Sequence, residues 1–194
     1  MAEYPKELKL KDGTIVMARP LEPPDTEALY GFFVGIPRYD MLIYKDDIST
    51  RESIESWFTN PIYNKLVQLV CIKDTEIVAK GTLHNEGLYW SDAAEIKLIV
   101  HPDYRGLGLG SQMFHILLNE GINKNFRKII VRYVTGNLSF SKILSHYGFE
   151  PETVLNSYIK DEKEGVTKDL IIASYNLDNW DRRFEFYYTM HSKR

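Results

Sequence analysis

Between Ala94 and Leu118 the sequence reads AEIKLIVHPDYRGLGLGSQMFHILL. An apolar run ends in His101-Pro102-Asp103 and then passes through alternating glycines into a stretch whose apolar residues recur at helical spacing. The next apolar run, Lys128 to Val134, follows that helix. Strand, helix and strand in this order leave few topologies open, and the expected one is a right-handed crossover between two parallel strands. The turn itself, Arg105-Gly106-Leu107-Gly108-Leu109-Gly110, lays bare backbone over the first N–H groups of the helix. Those groups have no partner inside the helix and stand at the positive end of its dipole. The turn is therefore a receptor for phosphate or another anion, and Arg105 adds a cation to it. Three glycines so close together at a helix start cost helix stability with no structural return, which argues for binding over a purely structural turn.

The flanking chain supplies the rest of a sheet and its cover. Lys11-Asp12-Gly13 between Glu7–Leu10 and Thr14–Arg19 predicts a hairpin. Pro20, Pro23 and Pro24 end the second strand, and Asp25 is expected to cap a helix with Ala28, Leu29, Phe32 and Phe33 on one stripe. Ser49-Thr50-Arg51-Glu52 reads as a capping box with Ser49 at the cap, opening a short helix through Ile54, Trp57 and Phe58. Between these helices lies an irregular link, Arg38 to Ile48, of the kind that selects ligands. Leu66 to Ile72 and Glu76 to Leu83 read as antiparallel strands, and the helix after the glycine turn as running from about Gly108 to Glu120, ended by Gly121. A short helix, Leu138 to Tyr147, and two more strands, Val154 to Lys160 and Lys168 to Leu177, complete the domain. Residues 1–194 are read as one domain with a C-terminal extension at about 178–194, whose aromatics suit an added strand, a packing arm or an oligomer contact.

Composition narrows the functions. A formal charge of -3, with no concentration of Lys and Arg, argues against a nucleic-acid partner. No run is long enough to cross a membrane and the N-terminus lacks a secretory apolar core, so a cytoplasmic location is expected. The single cysteine, Cys71, suits a reducing compartment and rules out a cysteine-based metal cluster. His84 and His101 are not spaced as metal ligands, so no metal is expected. The glycine spacing departs from the G-x-G-x-x-G of dinucleotide-binding folds, and Gly110 is followed by Ser111-Gln112 where a nucleotide P-loop has Gly-Lys-Ser/Thr. A nucleotide-dependent enzyme remains the third-ranked reading.

Arg105-Gly106-Leu107-Gly108-Leu109-Gly110 resembles the Q/R-x-x-G-x-G/A signature of the GCN5-related N-acetyltransferases, the GNAT family. Val100-His101-Pro102 is similar to that family's usual strand ending, and Asn137 ahead of Gly148-Phe149 to its second cofactor motif, N…GF. The opening KDGTIVMARPL with Pro24-Asp25 resembles the start of typical members, so the likeness spans about Thr14 to Leu177.

The resemblance implies an α/β (α+β) fold. Its mixed, mostly antiparallel central sheet has a splayed parallel pair of strands and is flanked by helices. It also implies acetyl-CoA (coenzyme A) as co-substrate, with no metal. The diphosphate would rest on the backbone of Gly106, Leu107, Gly108, Leu109, Gly110 and Ser111, with Arg105 neutralising charge. The pantetheine arm would pair with Leu98, Ile99 and Val100 as an added strand does, and Asn137 would hold the cofactor nearby.

Transfer of an acetyl group to a primary amine needs a base, and Glu95 stands where related proteins carry a catalytic glutamate; its other role is a solvent-facing strand position. Leu144 occupies the place where many relatives have a tyrosine that protonates the leaving thiolate. The implied acceptor is an amine, on a small molecule or on a peptide or protein lysine. Asp40, Asp46 and Asp47 are placed to attract it, and Tyr39, Tyr44, Tyr89 and Trp90 either line its groove or pack at the edge. Neither nucleic acid nor membrane is expected as a partner; a homodimer is allowed by the aromatic tail and common in the family. The competing reading is a catalytically inactive acetyl-CoA-binding sensor or assembly module.

Overall fold

The structure, a computed structural model, describes residues 3–42, 44, 50–59, 67–85, 92–161 and 165–177. The first hairpin joins β1 (Lys6–Lys9) to β2 (Ile15–Pro20) in antiparallel register. Its turn is shaped by Gly13 at φ +89° and by Asp12, whose carboxylate accepts the Thr14 N–H at 2.9 Å. After two helices and a four-residue helical turn, α1 (Thr26–Gly35), α2 (Arg38–Met41) and α3 (Arg51–Thr59), come β3 (Val67–Lys73), β4 (Glu76–Asn85) and β5 (Ala93–Val100). The glycine turn leads into α4 (Leu109–Asn123), and β6 (Lys128–Val134), α5 (Leu138–His146), β7 (Glu150–Asp161) and β8 (Val166–Asn176) follow.

The eight strands of the described residues form one sheet in the order β1-β2-β3-β4-β5-β6-β8-β7, and β5–β6 is the parallel pair within it. The expected mixed, mostly antiparallel sheet with flanking helices is what the chain forms. Side-chain alternation along the strands then makes two cores. Ala94 and Ile96 of β5 join Met113, Phe114 and Leu117 of α4 on one face, whereas Ile99 joins Leu29 and Phe33 of α1 and Ile54 and Trp57 of α3 on the other.

Several local expectations need correction. Asp25 precedes α1, but its side chain makes no cap bond to that helix. The carboxylate instead takes Arg19 through both guanidinium nitrogens, at 2.6 and 2.7 Å, and accepts the Glu22 N–H. A bidentate cation is the stronger partner, and it ties the end of β2 to the helix start. Gly121 does not end α4, which continues to Asn123. Its missing Cβ serves packing, since that atom would stand 2.7 Å from Cδ1 of Ile129 on β6. Thr50 accepts the Ser53 N–H at 3.2 Å at the start of α3. Ser49, the expected cap, lies outside the described residues, as do Asp46, Asp47, Tyr89, Trp90 and the extension at 178–194.

The Arg19 bonds hold the Asp25 carboxyl below its ordinary value of 3.8. A carboxylate whose folded value is depressed contributes stability that is complete above the unfolded value and is lost as pH falls through the folded one. Chemical denaturation from about pH 6 down to about pH 2 should therefore show an acid loss of stability that is smaller in Asp25→Asn, which lacks this group. Equal acid slopes for the two proteins would remove Asp25 from the account.

Candidate active site

The cleft follows from the pairing of the two central strands. β5 and β6 share only the pairs Ala93↔Lys128, Ala94↔Ile129 and Glu95↔Ile130. Beyond them each strand stays with its outer neighbour, β5 with β4 as far as Val100 and β6 with β8 as far as Val134. The inner edges therefore diverge. The His101 N–H bonds Val78 O on β4 at 2.9 Å, so alternation turns the backbone groups of Val100 and Leu98 the other way, into the gap.

A cavity of about 580 Å³ fills this gap, a size suited to a cofactor or small ligand. Leu98, Ile99 and Val100 form one wall and Tyr133 and Val134 the other, with Phe140 and Ile143 of α5 adding apolar surface. At one end lie Gly106, Gly108, Gly110 and Ser111. Gly106 and Gly108 have φ of +75° and +89°, values that a Cβ would strain. The first bond inside α4 is Gln112 N–H to Gly108 O at 3.1 Å. The N–H groups of Leu109, Gly110 and Ser111 precede it and find no acceptor among the described residues. Polar and apolar character are thus separated along the cavity, with donors at the turn and hydrocarbon between the strands.

The residues singled out in the sequence fall into three groups. Leu98, Ile99, Val100, Arg105, Gly106, Gly108, Gly110, Ser111 and Asn137 line the cavity. Leu107 and Leu109 are not part of its wall: Leu109 is buried in the α4 core and Leu107 packs against that core, so only their backbone belongs to the turn. Asn137 caps α5 by accepting the Phe140 N–H at 3.1 Å, which leaves its amide nitrogen as the donor it can offer a ligand.

Arg105 and Asp40 depart from expectation together. Arg105 Nε donates to Val100 O at 2.9 Å and its Nη2 to Asp40 Oδ2 at 2.9 Å. The arginine is committed to β5 and α2, and the aspartate expected to attract an amine is already paired. On the other side of the gap Tyr39 donates its hydroxyl to Thr135 O at 2.7 Å. α2 thus spans the mouth of the cleft, fastened at both margins.

Glu95 is the last residue of β5 paired with β6 and does not line the cavity. It is buried, 3% exposed, rather than solvent-facing. Arg132 Nη1 stands 2.8 Å and Lys97 Nζ 3.7 Å from its Oε2. Alternation puts Glu95, Lys97 and Ile99 on the face covered by α1 and α3. Tyr44 shares the neighbourhood, held edge-on by Phe33, and burial together with the Glu95 charge raises its hydroxyl well above the ordinary phenol value. Lys80 of β4 lies on this face too, over the Trp57 ring and bonded to Thr82 Oγ1 at 3.0 Å. Burial, helped by Lys97, pushes its amine down to about 7.

Leu144 is buried, so the place of the expected phenol carries no acid. Tyr147 bonds Ser111 O and stacks on His115, which commits it to α4. Sequence reasoning overlooked Lys11, Lys142 and Tyr133, which line the cavity. Lys142 and Tyr133 sit beside apolar residues in their own elements, Ile143 and Val134, a weak local signal. Lys11 had none, since only tertiary docking of the first hairpin brings it here. Among the described residues no group of three His, Cys, Asp or Glu is placed to hold a metal.

A family model for "Acetyltransferase (GNAT) domain" matches residues 16–150. No curated protein matches the sequence. Solved structures with the same fold include an N-acetyltransferase from Staphylococcus aureus Mu50, 18% identical with a TM-score of 0.71, the match covering 84% of this chain and 98% of that one. A ribosomal-protein-S5-alanine acetyltransferase from Vibrio fischeri is 17% identical with a TM-score of 0.71, covering 85% and 94%. The yncA protein of Salmonella typhimurium, solved with its cofactor acetyl-CoA, is 15% identical with a TM-score of 0.70, covering 84% and 94%. At these identities the structural likeness speaks for the fold alone.

Proposed function

Because the chain belongs to the GNAT acetyltransferase family, we propose that it is an acyl-CoA-dependent N-acyltransferase that moves an acetyl group from acetyl-CoA to a primary amine. One observation carries this reading: the β5–β6 gap runs directly into the bare N-terminus of α4. A narrow slot edged by the backbone groups of Leu98 and the N–H of Val100, ending in amide donors, matches an amide-bearing arm joined to a diphosphate. Bound acetyl-CoA would supply an activated thioester, at which a neutral amine attacks and from which a thiolate departs.

The chain's own residues have defined tasks in this reading. The edges of Leu98 and Val100 receive the pantetheine amides, and Asn137 offers its amide nitrogen. Gly106, Gly108, Gly110 and Ser111 frame the diphosphate with backbone N–H groups, joined by those of Leu107 and Leu109. Glu95 removes the amine proton through a water molecule, its carboxylate held in place by Arg132. Of the two tyrosines in the cavity wall, Tyr39 gives its hydroxyl to Thr135 O, which leaves Tyr133 as the phenol for the departing thiolate. Cys71 takes no part: it is buried and burial pushes its thiol up to about 12, so direct attack is favoured over an acyl-enzyme. The acceptor is an amine on a small molecule, or on a peptide or protein lysine.

Two measurements test the proposal. Coenzyme A at a hundred times its dissociation constant should stabilise the fold by about 2.7 kcal/mol, seen as a rise in Tm, while NAD and ATP should not. Free thiol should then appear from acetyl-CoA in the presence of an accepting amine. Coenzyme binding without thiol release across amines, peptides and proteins would turn the assignment to a binding module. No response to coenzyme A would end the cofactor reading.

A further inference from the structure

The cation that the family signature places before the glycine turn is spent elsewhere in this chain. Arg105 gives Nε to the Val100 carbonyl and Nη2 to Asp40, so its charge is matched by a carboxylate and its donors face β5 and α2. Among the described cavity-lining residues the charged groups are Lys11, Asp40, Arg105 and Lys142. Arg105 and Asp40 cancel, which leaves two lysines to answer a diphosphate. Partial charge at a helix start is worth roughly half an elementary charge, too little for two phosphates.

Lys11 is the one built onto the turn. Its N–H bonds the Leu107 carbonyl at 3.0 Å, and Gln112 of α4 returns a bond from Nε2 to Lys9 O at 3.1 Å. The hairpin is thereby docked on the glycine turn from both sides, although about a hundred residues separate them in the chain. Its own shape is fixed by the Leu10 N–H to Thr14 O and Gly13 N–H to Leu10 O bonds, at 2.8 and 3.0 Å. The lysine stem then lies over Gly108, with Cε and Cγ 3.7 and 3.8 Å from where a Cβ on that glycine would stand. The neighbouring acid, Asp12, accepts the Thr14 N–H and hydroxyl with its two carboxylate oxygens and does not line the cavity.

We infer that Lys11, carried in from the first hairpin, is the cation that meets the coenzyme's diphosphate, and that Arg105 has become a fastening for α2. The inference rests on the coenzyme reading above. It makes the β1–β2 hairpin part of the binding site, not merely an edge of the sheet.

Titration calorimetry with coenzyme A and with dephospho-coenzyme A, which lacks the 3′-phosphate, tests it on Lys11→Gln, the charge-neutral double variant Arg105→Gln/Asp40→Asn and the distant charge control Lys124→Gln. Lys11→Gln should weaken both ligands by the same factor, about tenfold, because the lost contact is to the shared diphosphate. The double variant Arg105→Gln/Asp40→Asn, which removes the pair without changing the net charge of the cavity wall, should stay within about threefold of the wild type, as expected when a partly exposed pair is lost. Lys124→Gln should match the wild type. Equal binding by Lys11→Gln and wild type, a loss confined to coenzyme A, or a larger loss in Arg105→Gln/Asp40→Asn than in Lys11→Gln would each overturn the inference and leave the coenzyme reading standing. A wild-type protein that bound neither ligand would overturn both.

Discussion

The Glu95→Gln variant is expected to lose about a hundredfold or more in kcat, the range seen when a positioned base is removed. Its affinity for coenzyme A should stay close to that of the wild type, since Glu95 does not line the cavity. The change is close to isosteric, but it leaves Arg132 and Lys97 without their carboxylate. Removing one partner of a buried pair destabilises by stranding the other charge. Loss of fold and loss of chemistry must therefore be separated. Thermal unfolding and coenzyme binding report the first, and single-turnover acetyl transfer reports the second. A variant that binds coenzyme A normally and turns over slowly supports the proton-removing role. One that turns over at the wild-type rate removes Glu95 from the mechanism.

Phe114→Ala should cost about 3–5 kcal/mol of folding stability, enough to unfold a marginal domain. Phe114 is fully buried on the inner stripe of α4. Rings of Phe140, Tyr147 and Phe149 surround it with centroids 6.0, 5.3 and 5.3 Å away. Those residues belong to α5, its C-terminal cap and the turn into β7, so the lost side chain leaves a void among elements that cannot close around it independently. Urea denaturation of the variant checks the value. Because α5 lines the cavity through Phe140 and Ile143, coenzyme binding should weaken in the same variant. A change below about 1 kcal/mol would mean that the α4–α5 packing relaxes freely.

The elements whose signal is local were legible in the sequence. β4, β5 and β6 announce themselves by apolar runs, α4 by its spacing, and the first hairpin by Asp12-Gly13. The splay is less direct: nothing in Ile96–Val100 or Val131–Val134 says that pairing stops after Glu95↔Ile130, and the expectation of it rests on family resemblance. What the sequence concealed were choices between partners. Asp25 had an N–H to cap and an arginine to bind, and the arginine, two strong bonds against one, prevailed. Arg105 had a phosphate site on one side and Asp40 on the other, from a link read as irregular that contains the helical turn α2. Gly121 read as a helix stop because glycine usually is one there, while the crowding by Ile129 that requires it comes from the next strand. Lys11 is the extreme case, an unremarkable hairpin lysine until the docking of two distant turns is known.

The order β6-β8-β7 has a consequence for how the chain is made. A ribosome delivers β7 before β8, yet β8 is the strand that lies between β7 and β6. Until residues 166–176 emerge, β6 displays an open edge on its outer side and β7 lacks its strand partner among the described residues. Synthesis therefore passes through a stage in which the far wall of the β5–β6 cleft is unsupported. Any truncation short of Val166 would arrest the protein at that aggregation-exposed stage.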